Sequence, residues 1–236
     1  MTSVKQFIYV FFIATLFWSC SSEPDTNFTL KGTIKGLKKG VVYLQKDGDS
    51  GVVNLDSMTI KGQPSFTLKT NIEEPILLYL KLFKNDNEEH FIPFFADKGL
   101  TELKTTLKDF NFDVEINGSK QQEVLDDYLK IMSKFNDQQL DLIQQTFLAQ
   151  RDKDSITENK LKLQSDKLIK RKYAYTINFA LNHNDSEVSP YLALYEMPNA
   201  NTKYVDSVYN NLTEPIKNSF YGKKLREVLE SKTVNP

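Results

Sequence analysis

The sequence predicts an α+β protein. An N-terminal antiparallel β-sandwich or barrel-like domain should be followed by a C-terminal helical domain built on a long antiparallel helix hairpin. Three observations lead there. From Phe28 to about Glu115 apolar and polar residues alternate in short runs separated by turn residues, the signature of half-buried strands. After "NGS" (Asn117–Ser119) the apolar spacing lengthens to three and four residues, the period of an amphipathic helix. Ahead of both, a charge-free apolar run ends at Cys20, the chain's only cysteine.

The strands read in order. "FTLKGTI" alternates Phe28 and Leu30 with polar residues and then Thr33/Ile34 around Gly32. "VVYLQ" follows the turn "GLKKG", and "DGDSG" (Asp47–Gly51) is a hairpin signal. "VVNLDSMTI" leads through "KGQP" to "SFTLKT". "PILLYLKLF" and "HFIPFFA" flank the polar turn "KNDNEE", and "LTELKTTL" and "FDVEI" close the region. Seven or eight short strands at this spacing favour a sandwich or barrel.

The helices follow. Leu125, Tyr128, Met132 and Phe135 share one helical face, with Leu142, Ile143 and Phe147 continuing the stripe. "QRDKDSIT" interrupts it, and Leu161, Leu168, Ile169, Tyr173, Ile177 and Leu181 form a second stripe, so the two helices should pack as a hairpin. "SPYLALYEMP" opens a third helix with Ser189 as cap and Pro190 in the first turn. Tyr204, Val205, Val208, Tyr209 and Leu212 mark a fourth, and Thr213 with Pro215 starts a fifth. "YGKKLREVLE" is the last, with residues 231–236 expected to fray. The expected division is a signal peptide over 1–19, a tether over 20–26, the β domain over 27–118 and the helical domain over 119–236.

The N-terminus carries an address. "FIYVFFIATLFW" (Phe7–Trp18) follows Lys5 and contains no charge. Twelve residues rise about 18 Å as a helix, against a hydrocarbon core of about 30 Å, so the run suits a secretory signal better than a span. Ser19-Cys20 resembles the core of the bacterial lipoprotein lipobox. That resemblance implies cleavage between Ser19 and Cys20, a diacylglycerol thioether on the sulfur and an acyl chain such as palmitate on the new amine. Several chains anchor far more firmly than one, and the lipidated thiol is lost to redox work. "SSEPD" (Ser21–Asp25) resembles a serine- and acid-rich surface-export signal of Bacteroidetes lipoproteins, or serves only as a hydrated spacer.

A second resemblance spans about residues 27–231. "FTLKGTIKGLKKGVVYLQ", "LDSMTIKGQPSFTLKT" and "FFADKGLTELKTTL" are similar to a β domain of uncharacterised function in Bacteroidetes envelope lipoproteins. "SPYLALYEM" and the segment from "VDSVYNNL" to "KKLREVL" are similar to the helical connector that follows it. In that family a thioredoxin-like domain with a Cys-x-x-Cys site often comes next. This chain ends at Pro236 without that motif, so the redox function does not carry over.

Little else points to chemistry. The net charge of −1 offers no basic surplus for nucleic acid. His90 and His183 lie far apart, and neither has a second histidine or cysteine at metal-ligand spacing. Asp47–Gly51 lacks the remaining ligands of a calcium loop. Glu73/Glu74 and Asp126/Asp127 are sequence neighbours whose side chains diverge, and so read as solvated charges; "KLIKRK" (Lys167–Lys172) reads as a wet helix face. Asp56-Ser57-Met58, Asp154-Ser155-Ile156 and Asp206-Ser207-Val208 resemble envelope O-glycosylation sites at Ser57, Ser155 and Ser207. The resulting expectation is a lipid-anchored outer-membrane protein, facing periplasm or surface, that binds or assembles with an envelope protein or ligand. It has no expected catalytic residue, cofactor, metal or nucleic-acid partner. The rival expectation is an accessory or truncated relative of the thioredoxin-linked lipoproteins.

Overall fold

The structure is a computed structural model and describes residues 25–48, 51–84, 86, 88–197 and 199–234. Among the described residues eight strands come first: β1 (Phe28–Lys35), β2 (Lys39–Gly48), β3 (Gly51–Lys61), β4 (Ser65–Thr70), β5 (Ile76–Phe83), β6 (His90–Ala96), β7 (Gly99–Thr106) and β8 (Glu115–Asn117). Six helices follow: α1 (Lys120–Arg151), α2 (Ser155–Asn182), α3 (Val188–Tyr195), α4 (Thr202–Asn211), α5 (Glu214–Lys217) and α6 (Phe220–Val234).

The strands form two separate four-stranded sheets, ordered β4-β1-β7-β8 and β3-β2-β5-β6, so the β part is a sandwich and not a closed barrel. The second sheet is antiparallel throughout; the first is mixed, because β7 runs parallel to β1 from Phe28↔Gly99 to Lys35↔Thr106. The wholly antiparallel expectation fails at that one pairing. It joins strands separated by the entire second sheet, and no local turn signal reports it.

Alternation places Phe28, Leu30 and Ile34 of β1 inward against Leu78, Leu80 and Leu82 of β5, all at most 1% exposed. The alternation runs unbroken through Gly32, whose missing side chain is occupied by the Phe66 ring directly opposite on β4. A Cβ there would overlap the ring. Thr33 therefore points outward, and its hydroxyl lies 3.1 Å from that of Ser65.

Gly118 joins strand to helix at φ +97°, and a Cβ there would strike the backbone carbonyl of Leu100. Ser119 then caps α1: its Oγ accepts from Gln122 N at 3.0 Å and donates to Asp97 Oδ2 at 3.1 Å. The cap brings Gln122 against edge strand β6, where its Oε1 accepts from Phe95 N at 2.7 Å. On the other side of β5, pairing with β2 stops at Gln45↔Tyr79, and Leu77 N donates instead to Tyr221 Oη of α6 at 3.2 Å. Two strand N–H groups that would be orphaned at a buried seam are thus satisfied by helix side chains. Around them Leu77 and Phe95 of the sheet join Leu125, Tyr128, Met132, Val188, Leu192 and Tyr221 in a cluster shared between the β and helical parts.

α1 and α2 form the expected hairpin, closed by Asp152–Asp154 with Lys153 at φ 57°. Asp154 caps α2 through Ile156 N and Thr157 N. Between the helices, Tyr128 is fully buried and its hydroxyl donates to Thr176 Oγ1 at 2.9 Å, because Thr176's own proton goes to Lys172 O. The stripe expected along α1 splits, however. Leu142 stays half-buried, while Ile143 and Phe147 are 56% and 66% exposed with Leu140 beside them. Position 142 lies seven residues from Phe135 and fourteen from Tyr128, on the inner seam; 143, 147 and 140 lie roughly 100° to 160° around the helix from it. At the third helix the cap is Glu187 instead of Ser189. Ser186 Oγ already accepts from Val188 N, and Ser189 is enclosed, donating to Ala180 O at 2.9 Å. The last helix continues to Val234, past the expected fraying point at Ser231. No described helix is long and apolar enough to cross a membrane.

Candidate functional site

The helices cover only part of the outer face of the β3-β2-β5-β6 sheet. Leu77, Tyr79 and Phe95 on that face meet helical side chains. The other end of the same face is open. There Val41 of β2 pairs with Thr59 of β3 on one side and Phe83 of β5 on the other, forming one row across three strands. The next row along is Lys39 directly opposite Lys61. Two further lysines complete the set: Lys38, held in the turn by Gly62 N donating to its carbonyl at 2.8 Å, and Lys84 just beyond β5.

These residues enclose an open recess of about 1000 Å³ with Val41, Ile60 and Phe83 in its lining. Phe83 is 48% exposed, unusual for an aromatic ring on a sheet. No carboxylate lines the recess, and only Lys84 has an ion-pair partner among the described residues, Asp86 at 2.8 Å. Like charges directly opposite on neighbouring strands destabilise a sheet, so Lys39 and Lys61 leave an uncompensated repulsion that a bound anion would relieve. The arrangement can hold an anionic group at its rim and an apolar group on its floor.

Asp86 also meets His90 Nε2 at 3.0 Å, with Glu88 Oε2 at 3.8 Å from the same nitrogen. Lys84 first and His90 second hold the Asp86 carboxyl well below the usual carboxylate range. His90 thus has acidic neighbours at i−4 and i−2 that a search for a second histidine or cysteine passes over. The trio Asp86, Glu88 and His90 is a set of oxygen and nitrogen donors on one turn. His183 is elsewhere, its ring stacked on Phe179 at 4.0 Å and its Nδ1 donating to Phe179 O.

A second unusual acid lies inside the helical part. Glu187 is only 4% exposed, and its Oε2 is 2.6 Å from Ser219 Oγ. Burial, with a contribution from Glu74, pushes its carboxyl up to about 7. Ser219 Oγ also lies 2.8 Å from Ile216 O. With Glu187 protonated, the acid donates to Ser219 and Ser219 donates to Ile216. Once ionised, Glu187 competes with that carbonyl for a single hydroxyl proton. Of the acids expected to be solvated, Asp126 is exposed, accepts from Gln122 Nε2 at 2.7 Å and has its carboxyl raised chiefly by partial desolvation. Glu74 accepts from Phe220 N at the start of α6.

The lipidation and cleavage residues Cys20 and Ser19, the signal peptide and the tether through Pro24 lie outside the described residues. Ser57, Ser155 and Ser207 are all exposed, on β3, α2 and α4, and are not brought together. The recess lysines were invisible as a set because they come from three turns far apart in sequence. No curated protein and no solved structure matches the chain. One family does: residues 28–125, which take in all eight strands and the first turns of α1 through Gln122 and Leu125, match DUF4369, a domain of unknown function.

Proposed function

We propose that this protein is a lipid-anchored outer-membrane binding protein that presents the lysine-rimmed recess to an envelope ligand and has no catalytic activity of its own. The observation that carries the reading is the placement of the recess relative to the chain's N-terminus. The chain joins the sandwich at Asn27, whose carbonyl accepts from Gly99 N and whose side chain bonds Ile72. Strand β1 then runs to Lys35, and the recess begins at Lys38 just past its far end. Seven residue steps of about 3.3 Å put roughly 23 Å of sandwich between tether and recess. A protein held by lipid at Cys20 would carry its recess on the pole facing away from the anchor. The lipobox-like Ser19-Cys20 supports the anchor, and the uncovered sheet face supports binding at that pole.

The test compares wild type, Cys20→Ser and Lys39→Ala/Lys61→Ala proteins isolated from envelope. Wild type and the double-lysine variant should fractionate with membrane, and Cys20→Ser should not. Native mass spectrometry should find a bound mass on wild type that the double-lysine variant lacks. Membrane retention of Cys20→Ser removes the anchor from the reading, and identical bound masses in the wild type and the lysine variant remove the recess.

A further inference from the structure

We propose that the recess takes an anionic amphiphile, a single alkyl or acyl chain ending in a phosphate or carboxylate; this rests on the reading of the protein as a binding protein. The charge argument is local. Lys38, Lys39 and Lys61 have no ion-pair partner among the described residues, and Lys39 and Lys61 oppose each other across the β2–β3 ladder. The chain as a whole carries −1, so this cluster is a specific concentration of positive charge and not part of a general basic surface. A phosphate or carboxylate between the two ammonium groups would remove the repulsion and gain charge-assisted hydrogen bonds.

The apolar argument is equally local. An inorganic anion would need only the rim, yet the recess continues onto Val41 and the half-exposed ring of Phe83, in one row with Thr59. That floor leaves the Phe83 ring about half exposed, uncovered by the chain's own core. Apolar surface beside a cation pair suits a ligand whose chain lies on the sheet while its head faces Lys39 and Lys61. An extended polyanion fits less well: beyond Phe83 the face continues to Tyr43, Ser57 and Lys81, and Lys81 is within 4.0 Å of Glu89 and stacks over Phe91. The cations therefore stop at the recess and do not form a track.

Hexyl phosphate, inorganic phosphate and hexanol separate the two contributions. The full lipidated chain, held in phosphatidylcholine nanodiscs with empty nanodiscs as blank, is titrated with each by calorimetry. Partial burial of a methylene contributes about twofold in affinity, so hexyl phosphate should bind at least tenfold tighter than inorganic phosphate, and hexanol should bind weakest. Lys39→Ala/Lys61→Ala should weaken hexyl phosphate at least tenfold without lowering the thermal midpoint of the free protein, since it removes a like-charge repulsion. Phe83→Ser should weaken hexyl phosphate severalfold and leave inorganic phosphate unaffected. Raising salt should weaken the phosphate probes and not hexanol. Equal binding of hexyl and inorganic phosphate, or equal binding of hexyl phosphate by wild type and the lysine variant, overturns the proposal. If hexyl phosphate fails while a lysine-dependent bound mass from envelope persists, the ligand class is wrong and the binding reading stands. If that mass is absent as well, both fall.

Discussion

Glu187 shows how one side chain can make stability depend on pH. In the folded protein its carboxyl titrates near 7, because burial among α3, Ser219 and the end of α5 disfavours the anion, and Glu74 adds repulsion. In the unfolded chain it would titrate near the ordinary value of 4.5. Between those values the folded state holds a proton that the unfolded state releases. This contribution is therefore intact below about pH 4.5, falls as pH rises to about 7 and is flat above. The span corresponds to roughly 3 kcal/mol or slightly more. Glu187→Gln keeps the hydrogen-bonding shape without the charge, so denaturant melts of wild type and variant between pH 5 and 8 should diverge. The variant should gain on the wild type as pH rises, and a constant difference across that range would show that Glu187 does not titrate there. Other carboxylates titrate in both proteins, so the difference isolates this one. None of this was legible in the sequence, where Glu187 is an ordinary acid after a serine; the burial arises only when Ser219, thirty-two residues on, closes over it.

At the scale of elements, legibility followed the range of the interactions. The β2–β3 and β5–β6 hairpins, the α1–α2 hairpin and the strand-to-helix change at Asn117–Ser119 all rest on local period and turn chemistry, and all were readable. The β1–β7 parallel pairing and the division into two sheets depend on contacts across most of the β part, where local alternation is silent. The long helices show an intermediate case. Their lengths were readable, but apolar residues occur on more than one face of α1, and only packing chooses between them. Leu168 of α2 is 6% exposed on the inner seam, whereas Ile143 of α1 is 56% exposed. Leu168→Ala should therefore cost about 2–3 kcal/mol through lost burial and a residual cavity. Ile143→Ala should stay within about 0.5 kcal/mol. Urea melts of the two variants would separate these values, and comparable losses would mean that the stripe at Leu140, Ile143 and Phe147 is covered in solution.

At the scale of the molecule, the sequence reads as two segments, while the packing joins them through one shared cluster. Leu77 and Phe95 contribute from the sheet, and Leu125, Tyr128, Met132, Val188, Leu192 and Tyr221 from three helices. The polar contacts at the same seam, Gln122 to Phe95 N and Tyr221 to Leu77 N, each satisfy a strand N–H from the helical side. The family match ends at Leu125, inside α1, which agrees with the β part needing at least the start of that helix. Fully burying one large apolar side chain is worth about 1.5–3 kcal/mol, so separating the segments at Gly118 should forfeit on the order of 10 kcal/mol. That is comparable to the whole stability of a typical domain, about 5–15 kcal/mol. Residues 119–234 alone should therefore show helical circular dichroism without a cooperative melt, since helices without their packing face are marginal in water. Residues 25–118 alone should melt below the parent or aggregate through the uncovered edge of β6, where Phe95 N is no longer bonded. Mixing the two pieces should restore part of the parent's transition, because the lost contacts are intermolecular in the mixture. If either piece alone melts cooperatively at the parent's temperature, the shared cluster contributes little and the two segments are independent.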